Sequence, residues 1–336
     1  MKVSVSNEYG QLKSTILGRP EGANWPTGDI FFDRMLELNP YKRKITKGKV
    51  PEEVIDESRK DMLHLKDVLE DHNVTVFRPE ITDWSKITSD YGYTISGMNN
   101  YNARDLLLSV NNCVIECPTP FISRQHEFHS YDVIKQEAMR DGCIWIAAPR
   151  ARMENKECVI VESKMKLTER YPIFDAANVL KFNDKLLYLK SATGNELGAK
   201  WLQSVVSTDF EVITWEGVYQ GAHIDSTLLP ISKDTILINA ERVKEDQLPN
   251  FLKSYKKIWV NDVVESKFHR YPFASKWLGM NVLSINPETI IVDALQLNLI
   301  DQLRKEKFNV IPISLRHSRT LGGGLHCITC DLEREC

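Results

Sequence analysis

The sequence predicts an α/β protein assembled from repeated ββαβ units that close into a ring. Three observations lead there. Four segments share one layout, a polar or small residue followed by two short apolar strands across a turn. They are RDLLLSVNNCVIECP from Arg104, FDAANVLKFNDKLLYLKS from Phe174, HIDSTLLPISKDTILINAER from His223 and GMNVLSINPETIIVDAL from Gly279. Second, Asp175 and Asp225 stand fifty positions apart in corresponding parts of their units. Third, units this short cannot bury a face alone and must pack on their neighbours, and a closed ring is the economical way to do so.

The elements follow in order. Residues 19–55 are rich in Gly, Pro and Lys and read as a long surface loop, the candidate lid. In residues 52–71 apolar side chains recur at spacings of three and four, the pattern of a helix. The four hairpins turn on Asn-Asn, Asn-Asp, Ser-Lys-Asp and Asn-Pro-Glu, which are turn-forming combinations. Helical runs are expected at 196–206, 244–256 and 295–306. Each leads to a short strand, FEVITW (210–215), KIWVND (257–262) and FNVIPI (308–313). The N-terminal STILGRP and C-terminal LHCITCDLE supply a fifth unit if the two ends pair. Residues 148–170 give no readable pattern.

Composition narrows the class. A length of 336 residues would ordinarily suggest about two domains, but no linker or low-complexity run divides the chain. The formal net charge of -3 gives no reason to expect nucleic acid or an anionic membrane as partner. No apolar stretch reaches the ~18 residues that cross a bilayer, and the N-terminus lacks the apolar core of a signal peptide, so a cytoplasmic protein is expected. Seven cysteines, Cys113, Cys117, Cys143, Cys158, Cys327, Cys330 and Cys336, are an odd and scattered set, unlike a disulfide framework.

Candidate chemistry sits at repeat-equivalent positions. Asp105, Asp175, His223 and Asp225 fall near the start of the first strand of their units. His223 and Asp225, two apart, share a face if they lie on a strand. The run GGGLHCITCD (322–331) brings a cysteine after three glycines. Carboxylates attract a planar guanidinium and accept its hydrogen bonds in pairs. A thiolate attacks its carbon, and an imidazole shuttles the leaving amine's proton. Each signal has a plainer reading: a lone HxD is more often structural, and an Asp at a strand start is usually a turn residue. Cys327 and Cys330 form CITC, but there is no second CxxC and no HxxxH, and ITCDLE looks like a strand rather than the helix a redox motif wants. No metal and no cofactor is expected.

These motifs resemble the glycine amidinotransferase family. The resemblance runs from SNEYGQLKSTILGRP through ARDLLLSV, PIFDAANVL, HIDSTLLP and SKWLGMNVL to GGGLHCITCDLE, nearly the whole chain. It implies one catalytic domain over residues 1–336 with a five-bladed α/β propeller, the pentein fold, and a ping-pong transfer of an amidino group from L-arginine to a primary amine. Carried over by position, Cys327 matches the nucleophile, His223 the general acid/base and Asp175 the carboxylate that orients it. Asp105 and Asp225 match guanidinium ligands. Arg242 and Ser275 match groups that bind the donor's carboxylate. The resemblance further implies small-molecule partners only and a homodimer.

Three departures stand out. Asn178 stands where members often carry an acid, Ala274 where some carry serine, and the chain has almost nothing beyond the catalytic loop. Arginine hydrolases of the same fold remain an alternative, as does, from another class, a catalytically silent scaffold. The acceptor stays open among glycine, lysine, an aminocyclitol phosphate and other amines. Lys42, Arg43, Lys44, Lys47 and Lys49 would suit an anionic acceptor, but such a run more often marks a solvated loop.

Overall fold

Five three-stranded sheets of the same topology carry the chain. The computed structural model describes residues 1–38, 45–90, 92–206, 208–266 and 273–335. Lys42, Arg43 and Lys44 of the basic run therefore lie outside the described residues. In four of the sheets an antiparallel hairpin is followed by a crossover to a third, parallel strand. The second unit comprises Leu107–Val110, Cys113–Glu116 and Ile144–Ala147, the third Val179–Phe182, Lys185–Leu189 and Glu211–Trp215. The fourth comprises Leu228–Ser232, Thr235–Asn239 and Lys256–Val260, the fifth Leu283–Asn286, Thr289–Asp293 and Asn309–Ile313. The remaining unit is made by the two ends of the chain. Gln11–Leu17 pairs antiparallel with Thr329–Glu335, from Gln11↔Glu335 to Leu17↔Thr329, and parallel with Thr75–Phe77.

The hairpin strands are apolar runs buried along their whole length, as in LLPIS and TILIN of the fourth unit. Such runs belong to strands covered on both faces. Side chains of the third, fourth and fifth units merge into one core that includes Leu187, Ile224, Leu228, Ile238, Met280 and Ile290. Two of the turns use the residues that fit them. Asn111 and Asn183 take positive φ angles of 47° and 58°, a backbone region that asparagine tolerates better than other side chains with a β-carbon.

Helices Glu52–Asp71, Asp132–Arg140, Glu196–Val206 and Leu297–Lys305 form the crossovers of the terminal, second, third and fifth units. The first buries Val54, Ile55, Met62, Leu65 and Leu69, the stripe its spacing predicts. The helix expected at 244–256 does not form. Two 3-10 turns, Glu245–Gln247 and Asn250–Leu252, take its place. Pro249 lies between them; it has no N–H to donate and holds the preceding Leu248 extended, with ψ 136°.

The long surface loop expected at 19–55 is also corrected. Asn24–Trp25 pairs with Gly48–Lys49, and Ile30–Leu38 is a helix whose Phe31 and Phe32 are fully buried. Asp29 starts that helix: one carboxylate oxygen accepts from the Phe32 N–H at 2.9 Å, the other from Ser123 Oγ at 2.6 Å. Glycine, proline and lysine on either side hide this helix from pattern reading. Residues 148–170 contain a hairpin, Cys158–Val161 with Lys164–Leu167. No helix among the described residues is long and apolar enough to cross a membrane.

Candidate active site

Each unit enters its first strand through a short helical turn, and the site residues sit on those turns. Asp105 lies in Ala103–Leu106, and Asp175 immediately precedes Ala176–Asn178. His223 immediately precedes Ile224–Ser226, which contains Asp225, and Ser275 precedes Lys276–Met280. Cys327 comes two residues before Thr329–Glu335. His223 and Asp225 are thus not on a strand, so the alternation rule does not apply to them, although both line the cavity. Asp105, His223, Asp225, Arg242, Ser275 and Cys327 all line one cavity of about 950 Å³. Asp175 stands behind His223, fully buried.

His223 lies between two carboxylates. Its Nε2 is 2.9 Å from Asp175 Oδ2 and its Nδ1 is 3.5 Å from Asp105 Oδ1. Burial alone would lower the pKa of this imidazole, but the charges of Asp105 and Asp175 outweigh it and raise it to about 9. The Cys327 thiol donates to Asp225 Oδ2 at 3.2 Å. Burial, then the charges of Asp225 and Asp105, push that thiol well above its ordinary value. A cation docked on these carboxylates offsets their charge and favours the thiolate.

Asp225 behaves oppositely. Burial would raise its pKa, yet the hydrogen bond and charge of His326 and the charge of His223 hold it at about 2. Asp105 Oδ2 accepts from Arg124 at 2.6 Å. Among the described residues, the buried Asp105 Oδ1 and Asp175 Oδ1 accept no hydrogen bond from the protein. A buried carboxylate oxygen left so is costly unless a ligand supplies the donor.

Arg242 is fixed on one side of the cavity. One terminal nitrogen donates to Ser226 O, Ser226 Oγ and Thr227 Oγ1, each at 2.9 Å, and the other to Ser275 Oγ at 3.3 Å. Its guanidinium stacks 3.6 Å from the Tyr219 ring. Ser275 Oγ also accepts from the Trp277 N–H, so the serine both caps its turn and meets the arginine. Arg124, Asn281, Tyr219 and His326 were not singled out by sequence. Asn281 and His326 sit inside the motifs MNVL and LHC, which could have flagged them; Arg124 and Tyr219 carry no such signal.

Asn281 Oδ1 accepts from the backbone N–H of both His326 and Cys327, at 2.8 and 3.1 Å, and so anchors the cysteine. The glycine run serves close approach. A β-carbon on Gly323 would lie 1.8 Å from Asn102 Oδ1 and 2.9 Å from the Cys327 β-carbon. Cys330 belongs to the core, where its thiol donates to Leu107 O at 3.3 Å. The described cysteines are free, and no described cluster could hold a metal ion.

No family model matches the chain. It is, however, 38% identical over 336 residues to inosamine-phosphate amidinotransferase 1 of Streptomyces griseus, covering 99% of this chain and 97% of that one. The chain belongs to the amidinotransferase family. A solved inosamine-phosphate amidinotransferase from Streptomyces griseus matches with a TM-score of 0.93 at 37% identity, over 99% of this chain and 97% of that one. The L-arginine:L-lysine amidinotransferase of Pseudomonas savastanoi pv. phaseolicola is 28% identical over 338 residues, 97% of this chain and 93% of that one. In this amidinotransferase, Asn178 turns away from the cavity: its amide donates to Leu189 O and Ser191 Oγ at 2.8 and 2.9 Å. Ala274 does line it.

Proposed function

We propose that this amidinotransferase takes the amidino group of L-arginine onto Cys327 and passes it to a primary amine, releasing L-ornithine. The observation that carries this reading is the convergence of a thiol, a carboxylate-flanked imidazole and two carboxylates on one cavity. The arginine guanidinium docks between Asp105 and Asp225 and relieves the charge that holds Cys327 as a thiol. As the guanidinium docks, the Cys327 thiol releases its proton to water, and the thiolate attacks the central guanidinium carbon. His223, protonated because of its two carboxylate neighbours, gives a proton to the departing ornithine amine and later takes one from the acceptor. Asp175 fixes the imidazole's orientation. Arg242 and Ser275 bind the donor's α-carboxylate, for which a planar, preorganised guanidinium is well suited.

The same reading takes the five like units, with both chain ends sharing one sheet, as a five-bladed propeller in a single domain with Cys327 near its axis. For the acceptor, the relatives at 37–38% identity are named for inosamine phosphate. The cavity wall carries Lys164, Lys276 and Arg319; Lys276 pairs with Glu241 and Arg319 with Glu265 of the same lining, which leaves Lys164 as the cation to meet an anionic acceptor. Both support an amine on a phosphorylated polyol over glycine. The test is incubation with arginine and a panel of amines, including glycine, lysine and an aminocyclitol phosphate, with products followed by mass spectrometry. Ornithine and a new guanidine that depend on one amine are expected. Citrulline formed without any amine means a hydrolase instead.

A further inference from the structure

Behind the cavity floor lies a chain of ionisable groups that the transfer as described does not use. His326, next to Cys327, is buried. Its Nδ1 lies 3.1 Å from Asp225 Oδ2, the oxygen that also accepts from the Cys327 thiol. Its Nε2 lies 3.3 Å from Glu8 Oε2. A carboxylate only accepts, so the ring satisfies both neighbours when it donates from both nitrogens.

The surroundings prevent another arrangement. Glu8 is ion-paired to Lys181 at 2.7 Å and Arg104 at 3.1 Å; against burial, these cations keep its carboxyl well below the usual range. It is therefore not the donor. Arg104 also pairs with Asp331 at 2.9 Å, and Asp331 with Arg334 at 2.7 Å. The His326 backbone is tied at both ends, its N–H to Asn281 and its carbonyl to Arg104 Nε at 2.8 Å. These bonds fix the main chain that carries the ring.

Asp105 and Asp225 are like charges buried in one cavity with His223 and Cys327. Such pairs do not both stay ionised unless something compensates them. Each has a partner behind it: Arg124 is ion-paired with Asp105, and the His326 Nδ1 faces Asp225.

We propose that His326 is a positioning residue for amidino transfer: donating to Glu8 on one side and Asp225 on the other, it keeps the Asp225 carboxylate ionised and aimed at the incoming guanidinium. This rests on the reading of Asp225 as a guanidinium ligand. Hydrogen bonds to charged groups contribute enough that losing one changes binding by roughly 10- to 100-fold. His326→Asn keeps a donor toward Asp225 but not the charge; His326→Leu keeps neither.

The experiment measures arginine KM, kcat and the pH profile of kcat/KM for the unaltered enzyme, both His326 variants and Asp225→Asn. The expected result is an arginine KM raised roughly 10-fold in His326→Asn and 100-fold in His326→Leu, with kcat at saturating arginine changed far less. The acid limb of the profile should move to higher pH in both, because Asp225 has lost the group that keeps it ionised. Folded variants with unchanged KM and an unmoved acid limb would overturn the proposal. If neither variant folds, a neutron structure of the unaltered protein decides: deuterium on both His326 ring nitrogens is expected, and a bare Nδ1 facing Asp225 sinks the idea. An unaltered enzyme that makes no ornithine from arginine, or an Asp225→Asn variant with normal arginine KM, tells against the parent reading instead.

Discussion

Asp175 and Lys164 lie close in sequence and near the same cavity, yet they belong to regions built in different ways. Asp175 stands on the turn that opens the third unit, against strands buried along their full length. Asp105, His223, Asp225, Ser275 and Cys327 stand on equivalent turns of the other units. Lys164 belongs to a hairpin outside the five sheets, as Met35 and Leu38 belong to a helix outside them, and all three line the cavity. The floor is thus set by a frame whose parts brace one another, while part of the wall, with Lys164, Met35 and Leu38, is made of insertions. Insertions can change without moving the reacting atoms. That separates chemistry from acceptor choice, and each expected outcome below strains the distinction at one point.

The largest effect is expected on the floor. Cys327→Ser should lose at least ~10⁴-fold in turnover, as when a catalytic nucleophile is removed elsewhere, while Cys330→Ser, a core change, should keep kcat. The reverse result, read by ornithine release and by intact mass after arginine trapping, would place the nucleophile on the wrong cysteine. Next, His223→Asn should cost ~10²–10⁴-fold. The unaltered enzyme should lose kcat/KM as pH rises through about 9, where the raised His223 gives up its proton. The folded-state value exceeds that of a free imidazole, so this group's contribution to stability is full below the unfolded value and is lost over the same rise. A thermal-melt series across pH checks that second sign, and a flat series contradicts it.

Arg242 lies at the boundary of floor and wall. Agmatine, which lacks the α-carboxylate, should be a donor weaker by roughly 2 kcal/mol or more, about 30-fold in kcat/KM. Equal use of agmatine and arginine removes Arg242 and Ser275 from that role. The smallest effect belongs to the wall. Lys164→Ala should raise the acceptor's KM up to about fivefold, the scale of an exposed ion pair, and leave ornithine formation in the first half-reaction unchanged. A matching change in arginine KM would mean that wall and floor are coupled after all.

How much could be read beforehand follows the same division. Four units were legible because strand, turn and strand recur with the same residue types; Asp105, Asp175, His223 and Asp225 were singled out because they recur with them, and Cys327 because it follows the glycine run. The helix at 244–256 was misread because its apolar spacing outweighed Pro249, a single residue with a decisive steric effect. The helix Ile30–Leu38 was missed because its burial depends on distant partners: Phe31 meets Phe121 edge-on at 4.7 Å and Phe32 stacks on Phe273 at 5.8 Å. Arg124 and Tyr219 were missed for a related reason. An arginine that steadies a carboxylate, or a tyrosine under a guanidinium, is defined by what the fold brings beside it, and nothing local marks it.

The sheet whose strand follows Cys327 joins the most distant parts of the chain, with Gln11 opposite Glu335. By the logarithmic dependence on loop length, closing that span costs about 3 kcal/mol more than closing a ten-residue loop, and pairings of this kind form late. The four internal units close over spans of a few dozen residues. A chain caught partway through assembly therefore holds carboxylates and an imidazole but no sulfur among them. Under the mechanism proposed above, Cys327 joins the carboxylates and the imidazole only when this widest loop shuts, so a chain whose ends have not paired would not react with stray guanidines.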